Sequence, residues 1–303
     1  MNYTLHQLQV FNKVVQTKSI TKASEELFMT QPAVSIQLKK FQDQFDIPLT
    51  EVIRKRLHIT DFGMEIYKMS ERILSEVYAI NYKTQAYKGL LSGKLSIGVV
   101  STGKYVMPYF LSEFMQQHEG IDLIMDVTNK SKVIESLKNS EIDFALVSIL
   151  PDRLNVQEEI LMDNELYFVA NKDFSISKKK LTKDDLEKHP LIYREEGSAT
   201  RKVMEDYFEK TNLKARKKIE LTSNEAVKQA ILAGLGMSIM PIIGIREEIK
   251  NKKIKIIPAD NLPIKTKWRL IWLKDSKLSP VAQEYLEHLQ KNKARLIKEC
   301  FVL

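Results

Sequence analysis

The chain has 303 residues, 44% hydrophobic and 28% charged, with a formal net charge of +8. That is too long for one ordinary core, and the composition is that of a soluble globular protein. The charge is diffuse, +3 over residues 1–60 and +5 over the other 243, so basicity alone does not single out a nucleic-acid binder. No apolar run approaches the roughly 20 residues that span a bilayer. Met1-Asn2-Tyr3-Thr4-Leu5-His6 lacks a basic segment followed by an apolar one, which argues against a secretory signal. One cysteine, Cys300, excludes an internal disulfide framework and suits a reducing cytoplasm.

Leu5, Leu8, Phe11, Val14 and Val15 recur at helical spacing and predict a first helix over about residues 5–17. Ser19 or Thr21 can cap a second, which carries Ala23 and Leu27 inward. Thr30 can cap a third, with Pro32 in its first turn, where a missing N–H costs nothing. Val34, Leu38, Phe41 and Phe45 form its buried stripe, and Pro48 ends the run. The corner before it, Phe28-Met29-Thr30, holds no glycine. Residues 54–60, Arg-Lys-Arg-Leu-His-Ile-Thr, read as a short basic hairpin arm or wing.

A long helix is expected from Phe62 to about Leu91. Ile66, Ile73, Ile80 and Tyr87 lie seven apart on it, a coiled-coil-like seam that needs a partner. The alternative is a helix packed on its own domain. Residues 92–95 then read as a hinge from helix to strand. Beyond them the β-rich runs LSIGVV, LIMDV, IDFALVSI, LYFVAN, LIYR, GMSIMP, KIKIIP and WRLIWL alternate with amphipathic stretches such as MPYFLSEFMQQH and NEAVKQAILAGL. Strand–helix alternation argues an α/β architecture, divided into two lobes with a cleft between them. The lysines at 178–180 and the run 215–218 read as solvated surface.

At roughly 100° per residue from Val34, the third helix turns Pro32, Ser35, Ile36, Lys39 and Lys40 outward, with Gln31 at its exposed tip. Such a helix enters the major groove and presents its first turns to base edges. Gln pairs with adenine, Ser donates or accepts, and Lys reaches guanine or phosphate. Arg54-Lys55-Arg56 adds the phosphate contacts that supply most of the affinity. A three-helix corner with a merely polar outer face fits the same spacing.

Residues 5–49 resemble the winged helix-turn-helix of LysR-type transcriptional regulators. The residues that carry the resemblance are Ser19, Thr21, Ala23 and Leu27, then Thr30-Gln31-Pro32-Ala33, Ser35 and Gln37, then Ile59, Thr60 and Gly63. The long helix resembles that family's dimerisation linker. GKLSIGVV, IDFALV and AGLGMSIMP stand in the order expected of its effector domain, which resembles a periplasmic binding protein.

The resemblance implies an α+β multidomain fold. An N-terminal all-α winged helix-turn-helix at 1–60 is followed by a linker and dimerisation helix at 61–91. A two-lobed α/β effector domain takes 92–303, lobe one about 92–163 plus 266–303 and lobe two about 164–265. The implied partner is double-stranded DNA with a dyad-symmetric operator, read by Thr30, Gln31, Pro32, Ser35, Ile36, Lys39, Lys40, Arg54, Lys55 and Arg56. A homodimer through residues 62–91, pairing into a homotetramer as is typical of the family, is implied as well, with no membrane partner. The chain departs from the family's pattern at Leu49-Thr50-Glu51-Val52, where Leu-Phe-Glu-Arg is usual. It departs also at Ile36, usually polar or basic, and at Asp46, usually glycine. Arg54 is expected to replace the missing arginine, and Ile36 to pack on a thymine methyl.

Strand LSIGVV ends in Ser101-Thr102-Gly103, hydroxyls ahead of a helix expected near Tyr105. Free N–H groups and the positive dipole end suit such a place to an anion. In YREEGSATRKVMEDYF, Ser198 is a candidate cap with Thr200 and Arg201 in the first turn. By resemblance, Ser101, Thr102, Ser148, Ser198, Thr200 and Arg201 are where a small carboxylate or inorganic anion binds, with Thr222-Ser223-Asn224 contributing. For each residue alone an ordinary helix cap is the alternative.

His6, His58, His118, His189 and His288 are scattered, without metal-site spacing. Gly234-Leu235-Gly236 lacks the third glycine of a dinucleotide loop and reads as a helix stop and turn. No nucleophile elbow is present. No cofactor, metal or enzymatic activity is expected. Two functions remain: a sequence-specific DNA-binding regulator modulated by a small anionic effector, or a soluble α/β ligand-binding or enzymatic protein whose N-terminal helices only mediate oligomerisation. Gln31, Ser35, Lys39 and the arm 54–56 discriminate between them.

Overall fold

The structure, a computed structural model, describes residues 2–53, 56–86, 91–175, 179–182, 185–186, 189–211 and 218–301. It divides into two compact units, Met1–Gly93 and Lys94–Leu303.

In the first unit α1 (Leu5–Thr17) starts at Thr4, whose hydroxyl accepts from the Gln7 N–H while the Gln7 side chain accepts from the Thr4 N–H. That reciprocal box satisfies donors the helix end leaves open. Ser19 caps α2 (Ile20–Glu26) and Thr30 caps α3 (Gln31–Gln42), with Pro32 in its first turn. Leu8, Phe11, Val14, Val15, Ala23, Val34, Leu38, Phe41, Leu49 and Leu74 pack into one core.

α3 ends at Gln42 and does not carry Phe45 as the spacing predicts. The N–H groups of Asp43, Gln44 and Phe45 turn back onto the carbonyls of Lys39, Phe41 and Gln42, and the Thr50 hydroxyl donates to the Gln42 side chain. Phe45 reaches the core from the turn, beside the rings of Tyr3, Phe41 and Phe62.

The corner without glycine is closed by Phe28, at φ 53°. Its N–H donates to the Glu25 carbonyl (3.2 Å) and the Met29 N–H to that of Ser24 (2.9 Å), a helix-closing pair usually built on glycine. Phe28 is 98% exposed, so its ring has no burial to offset the ~1–2 kcal/mol cost of a left-handed L-residue. Phe28→Gly is expected to raise stability by about 0.5 kcal/mol, part of the relief being cancelled by glycine's freedom in the unfolded chain. Urea melts followed by circular dichroism check this, and a lower midpoint would contradict it.

β1 (Thr50–Ile53) and β2 (Arg56–Ile59) pair antiparallel, Thr50 opposite Ile59 and Ile53 opposite Arg56, so the wing is a hairpin. Arg54 and Lys55 lie outside the described residues. α4 (Asp61–Ala86) follows, and Tyr87 of the expected seam also lies outside. Leu74 joins the core, whereas Met69, Ile73 and Ile80 are exposed. No helix among the described residues is long and apolar enough to cross a membrane.

The second unit holds β3 (Ser92–Val100), α5 (Met107–Gln117), β4 (Gly120–Thr128), α6 (Lys130–Lys138), β5 (Phe144–Val147), β6 (Val156–Asn171) and β7 (Leu191–Arg194). After these come α7 (Ala199–Lys210), β8 (Lys218–Leu221), α8 (Asn224–Leu232), β9 (Ser238–Pro241), α9 (Arg246–Lys250), β10 (Ile254–Ile256), β11 (Ile264–Leu273) and α10 (Pro280–Cys300). One seven-stranded sheet runs β10-β6-β11-β5-β3-β4, with β9 on β6; β7 and β8 form a separate parallel pair.

The long strands β6 and β11 pair antiparallel from Leu166–Ile264 to Val156–Leu273 and are shared by the two lobes. Lobe one gathers β3, β4 and β5, and lobe two gathers β7 to β10. Alternation along lobe two's strands feeds two cores. Phe168, Ala170, Leu191, Tyr193 and Ile239 pack with Met204, Tyr207 and Phe208 of α7, and Val169, Ile192 and Met240 with Val227, Ala230 and Ile231 of α8.

Three local expectations are corrected. Residues 92–95 already belong to β3 and not to a connecting loop. LYFVAN is only the end of β6, whose first half is polar at Gln157, Glu158, Glu159 and Asp163. After Thr102 a 3-10 turn spans Gly103–Tyr105, and α5 begins at Met107 because Pro108 fits only a first helical turn.

Candidate functional site

Two places gather the residues singled out in the sequence. On α3, Val34, Leu38 and Phe41 turn inward, which leaves Gln31, Pro32, Ile36, Lys39 and Lys40 exposed on one face with Ser35 half-buried beside them. The Thr30 hydroxyl accepts from the Ala33 N–H and serves as the cap. Ile36 is 54% exposed, and Val52 and Ile53 are exposed on the wing. The face is therefore polar and basic with an apolar point at its centre.

The second place is the seam between the lobes. β3 and β5 run parallel with Val99 opposite Leu146, so Ser101-Thr102 and Ser148 leave the sheet side by side. β7 and β8 run parallel with Arg194 opposite Leu221, which sets residues 195–198 beside 222–224. The lobes meet where the Asn224 N–H donates to Ser101 Oγ (3.5 Å) and the Tyr105 hydroxyl to Glu225 Oε2 (2.9 Å). They meet again where the Ser131 N–H donates to the Gly197 carbonyl (3.4 Å). Gly197 has φ +81°, and a Cβ there would lie 2.6 Å from Ser131 Oγ, so this approach requires glycine.

Thr102, Ser148, Ser198 and Thr200 are buried. Thr102 and Ser198 occupy cap positions, yet neither side chain makes the capping bond, whereas Ser19, Thr30, Ser223 and Ser279 all do. Ordinary capping therefore accounts for Ser223 and not for Thr102 or Ser198.

Arg201 is ion-paired, to two exposed carboxylates. Its Nε donates to Glu205 (2.8 Å) and its Nη1 to Glu220 (2.7 Å) and to the Arg194 carbonyl (3.2 Å). The enclosed guanidinium is that of Arg194, 3% exposed, whose Nε and Nη2 both bond the Glu195 carboxylate at 2.8 Å. Its signal in the sequence is an arginine closing an otherwise apolar buried strand, since a buried charge is kept only when paired. A second cation, Lys130 at the start of α6, donates to the Leu150 carbonyl (3.0 Å), and burial pushes its pKa down.

Tyr105 lies against Gly244, and burial, followed by Glu225, pushes its phenol up. The Glu225 carboxyl is held down at about 2, chiefly by the Gln229 amide, with Tyr105 and Lys228 adding. A carboxyl depressed in the fold contributes stability that is complete above its ordinary 4.5 and is lost as pH falls through about 2. Tyr105→Phe keeps the ring but removes one of those donors. Scanning calorimetry should show a shallower fall in melting temperature between pH 4.5 and 2 than in the parent protein. An unchanged slope would mean that the hydroxyl does not hold Glu225.

Among the described residues no group of three or more His, Cys, Asp or Glu is placed to hold a metal.

Residues 5–64 match the family described as "Bacterial regulatory helix-turn-helix protein, lysR family", and residues 88–294 the "LysR substrate binding domain". The HTH-type transcriptional activator CmpR of Synechocystis sp. PCC 6803 is 35% identical over 289 residues, 95% of each chain. The RuBisCO operon transcriptional regulator of Allochromatium vinosum is 32% identical over 297 residues, 98% of each. Among solved structures, the Synechocystis PCC 6803 CcmR regulatory domain in complex with 2-PG is 32% identical, with a TM-score of 0.62 over 67% of this chain and 98% of that one. Full-length CbnR complexed with its target DNA is 19% identical, with a TM-score of 0.68 over 95% and 99%, a likeness of fold.

Proposed function

The chain belongs to the LysR family of bacterial transcriptional regulators, and from that premise we propose that it binds a dyad-symmetric DNA operator sequence-specifically under control of a small anionic effector. It is a regulator and not an enzyme. The observation that carries the DNA reading is the exposed face of α3, where Gln31, Lys39 and Lys40 surround Ile36 above a fully apolar inner stripe. Thr30 and Pro32 set the helix tip, Ser35 reaches a base edge, and Arg54, Lys55 and Arg56 of the wing add backbone contacts.

Residues 1–60 act as the DNA-binding domain and 61–91 as the linker. The exposed Met69, Ile73 and Ile80 on α4 support a homodimer through 62–91, which presents two recognition helices to two half-sites and pairs further into a tetramer. Residues 92–303 bind the effector, lobe one taking 92–163 and 266–303 and lobe two 164–265. The Asn164–Thr266 side-chain bond (2.9 Å) at the crossing of β6 and β11 supports that division. Ser101, Thr102, Ser148, Ser198 and Thr200 supply hydroxyls and Arg194 the charge, with Arg201 holding the Arg194 carbonyl in place. CcmR's 2-PG makes that compound the first effector to try. The ligand acts through unequal affinity for two arrangements of the lobes.

Footprinting on DNA upstream of the protein's own gene and its neighbours, against scrambled DNA at the same salt, tests the reading. Gln31→Ala with Ser35→Ala is expected to cost about 1–3 kcal/mol of specific binding, roughly five- to 150-fold, and to leave nonspecific binding in place. Ile36→Arg is expected to change the preferred bases. Equal affinity for operator and scrambled DNA in the parent protein would defeat the reading.

A further inference from the structure

Asn224 opens α8 at the seam, where its backbone N–H donates to the Ser101 hydroxyl. Its side chain is 2% exposed, and neither Oδ1 nor Nδ2 has a hydrogen-bond partner. Other buried asparagines are better served: the Oδ1 of Asn12 accepts from Ser70, and the Nδ2 of Asn164 donates to Thr266. A buried amide with both ends unbonded lowers stability at each atom, and an apolar side chain of the same size would not.

The local fold does not need this amide. Ser223 already caps α8 by accepting from the Ala226 N–H. Glu225 is engaged by Tyr105, Gln229 and Lys228. Asn224 stands at the seam itself, its N–H on the Ser101 hydroxyl just past the end of β3, and the register of β7 with β8 sets residues 222–224 beside 195–198.

On the reading that an anion binds between the lobes, we propose that the Asn224 amide sets the specificity of that site, and that the effector is a small anion with a hydroxyl next to its charged group. The Nδ2 donors call for an acceptor, which an anionic oxygen supplies. Oδ1 calls for a donor, and a fully ionised carboxylate or phosphate has none. A hydroxyl on the adjoining carbon supplies it within the span of one amide. The effector class is thus a hydroxycarboxylate or a phosphorylated hydroxy compound, in preference to a carboxylate or phosphate ester that has no hydroxyl.

Calorimetric titration of the full chain with matched probes tests this. Glycerol 3-phosphate is compared with n-propyl phosphate and lactate with propionate, alongside inorganic phosphate and 2-PG. The parent protein should favour the hydroxylated member of a pair by about tenfold. In Asn224→Leu and in Asn224→Ala the members should bind within about twofold of each other, and both more weakly than the parent binds the member without a hydroxyl, because the Nδ2 donor to the anion is lost as well. Asn224→Leu should melt no lower than the parent. Equal binding of both members by the parent, or discrimination that survives in both variants, overturns the proposal while the anion reading stands. Failure of every probe to bind overturns both.

Discussion

Alanine at Gly63 is expected to unfold the first unit and abolish DNA binding while the second unit stays folded. Gly63 is the third residue of α4, and a Cβ there would lie 2.1 Å from the Leu49 carbonyl oxygen and 3.0 Å from Ile59 Cγ2. That carbonyl cannot withdraw. It accepts from the Thr60 N–H (3.1 Å) and the Thr60 hydroxyl (3.2 Å), and the same hydroxyl accepts from the Gly63 N–H (2.9 Å) and donates to the Pro48 carbonyl (2.7 Å). Leu49 itself is wholly buried. The overlap falls on backbone clamped from both sides, so the cost should reach or exceed the ~1–3 kcal/mol usual for overpacking. Both tryptophans, Trp268 and Trp272, belong to the second unit, so their emission reports that unit alone. Far-ultraviolet dichroism should lose helix, the tryptophan transition should hold its midpoint, and operator binding should vanish. A variant that binds DNA like the parent would show that Leu49 can move after all.

Gly63 also shows what one sequence discloses and what it withholds. The Ile59-Thr60-x-x-Gly63 spacing was legible as a motif, and Thr60 bridging Leu49 to Gly63 is the physics beneath it. Thr30 was legible as a cap, and Ser19 as one of two candidates with Thr21, because capping is local, set by a hydroxyl and the N–H three residues on. The buried runs of β3, β5, β7 and β11 declared themselves by apolar content. What stayed hidden depends on partners far along the chain. α3 stops at Gln42 with the Thr50 side chain on it, which no helical periodicity contains. The first half of β6 carries Glu158, exposed, and Glu159, half-buried, and only the pairing with β11 alongside makes that polar run a strand. The choice between Arg194 and Arg201 is of the same kind. Both stand near Ser198 in the sequence and both are ion-paired in the fold, and only the fold reveals that Arg194 is buried, 3% exposed, and Arg201 25% exposed.

Arg194→Met is expected to remove anion binding at the seam, and a second substitution separates the reasons. The guanidinium is buried, with two of its nitrogens held in a fork by Glu195, whose side chain is 15% exposed. Losing charge-assisted bonds to a bound anion should cost about 1.5–3 kcal/mol, roughly ten- to a hundredfold in affinity. The single variant also strands the Glu195 carboxylate. Breaking a buried pair costs about 3–5 kcal/mol, and the partial exposure of Glu195 places this case toward the lower end. Arg194→Met with Glu195→Gln removes both charges and should recover most of that stability. If Arg194 grips the anion, the double variant melts near the parent and still fails to bind 2-PG or inorganic phosphate in calorimetric titration. If Arg194 only neutralises Glu195, binding returns together with stability, and the cation of the site must be sought elsewhere, first at Lys130. The two melting curves and two titrations decide between a guanidinium that holds the ligand and one that merely balances its neighbour.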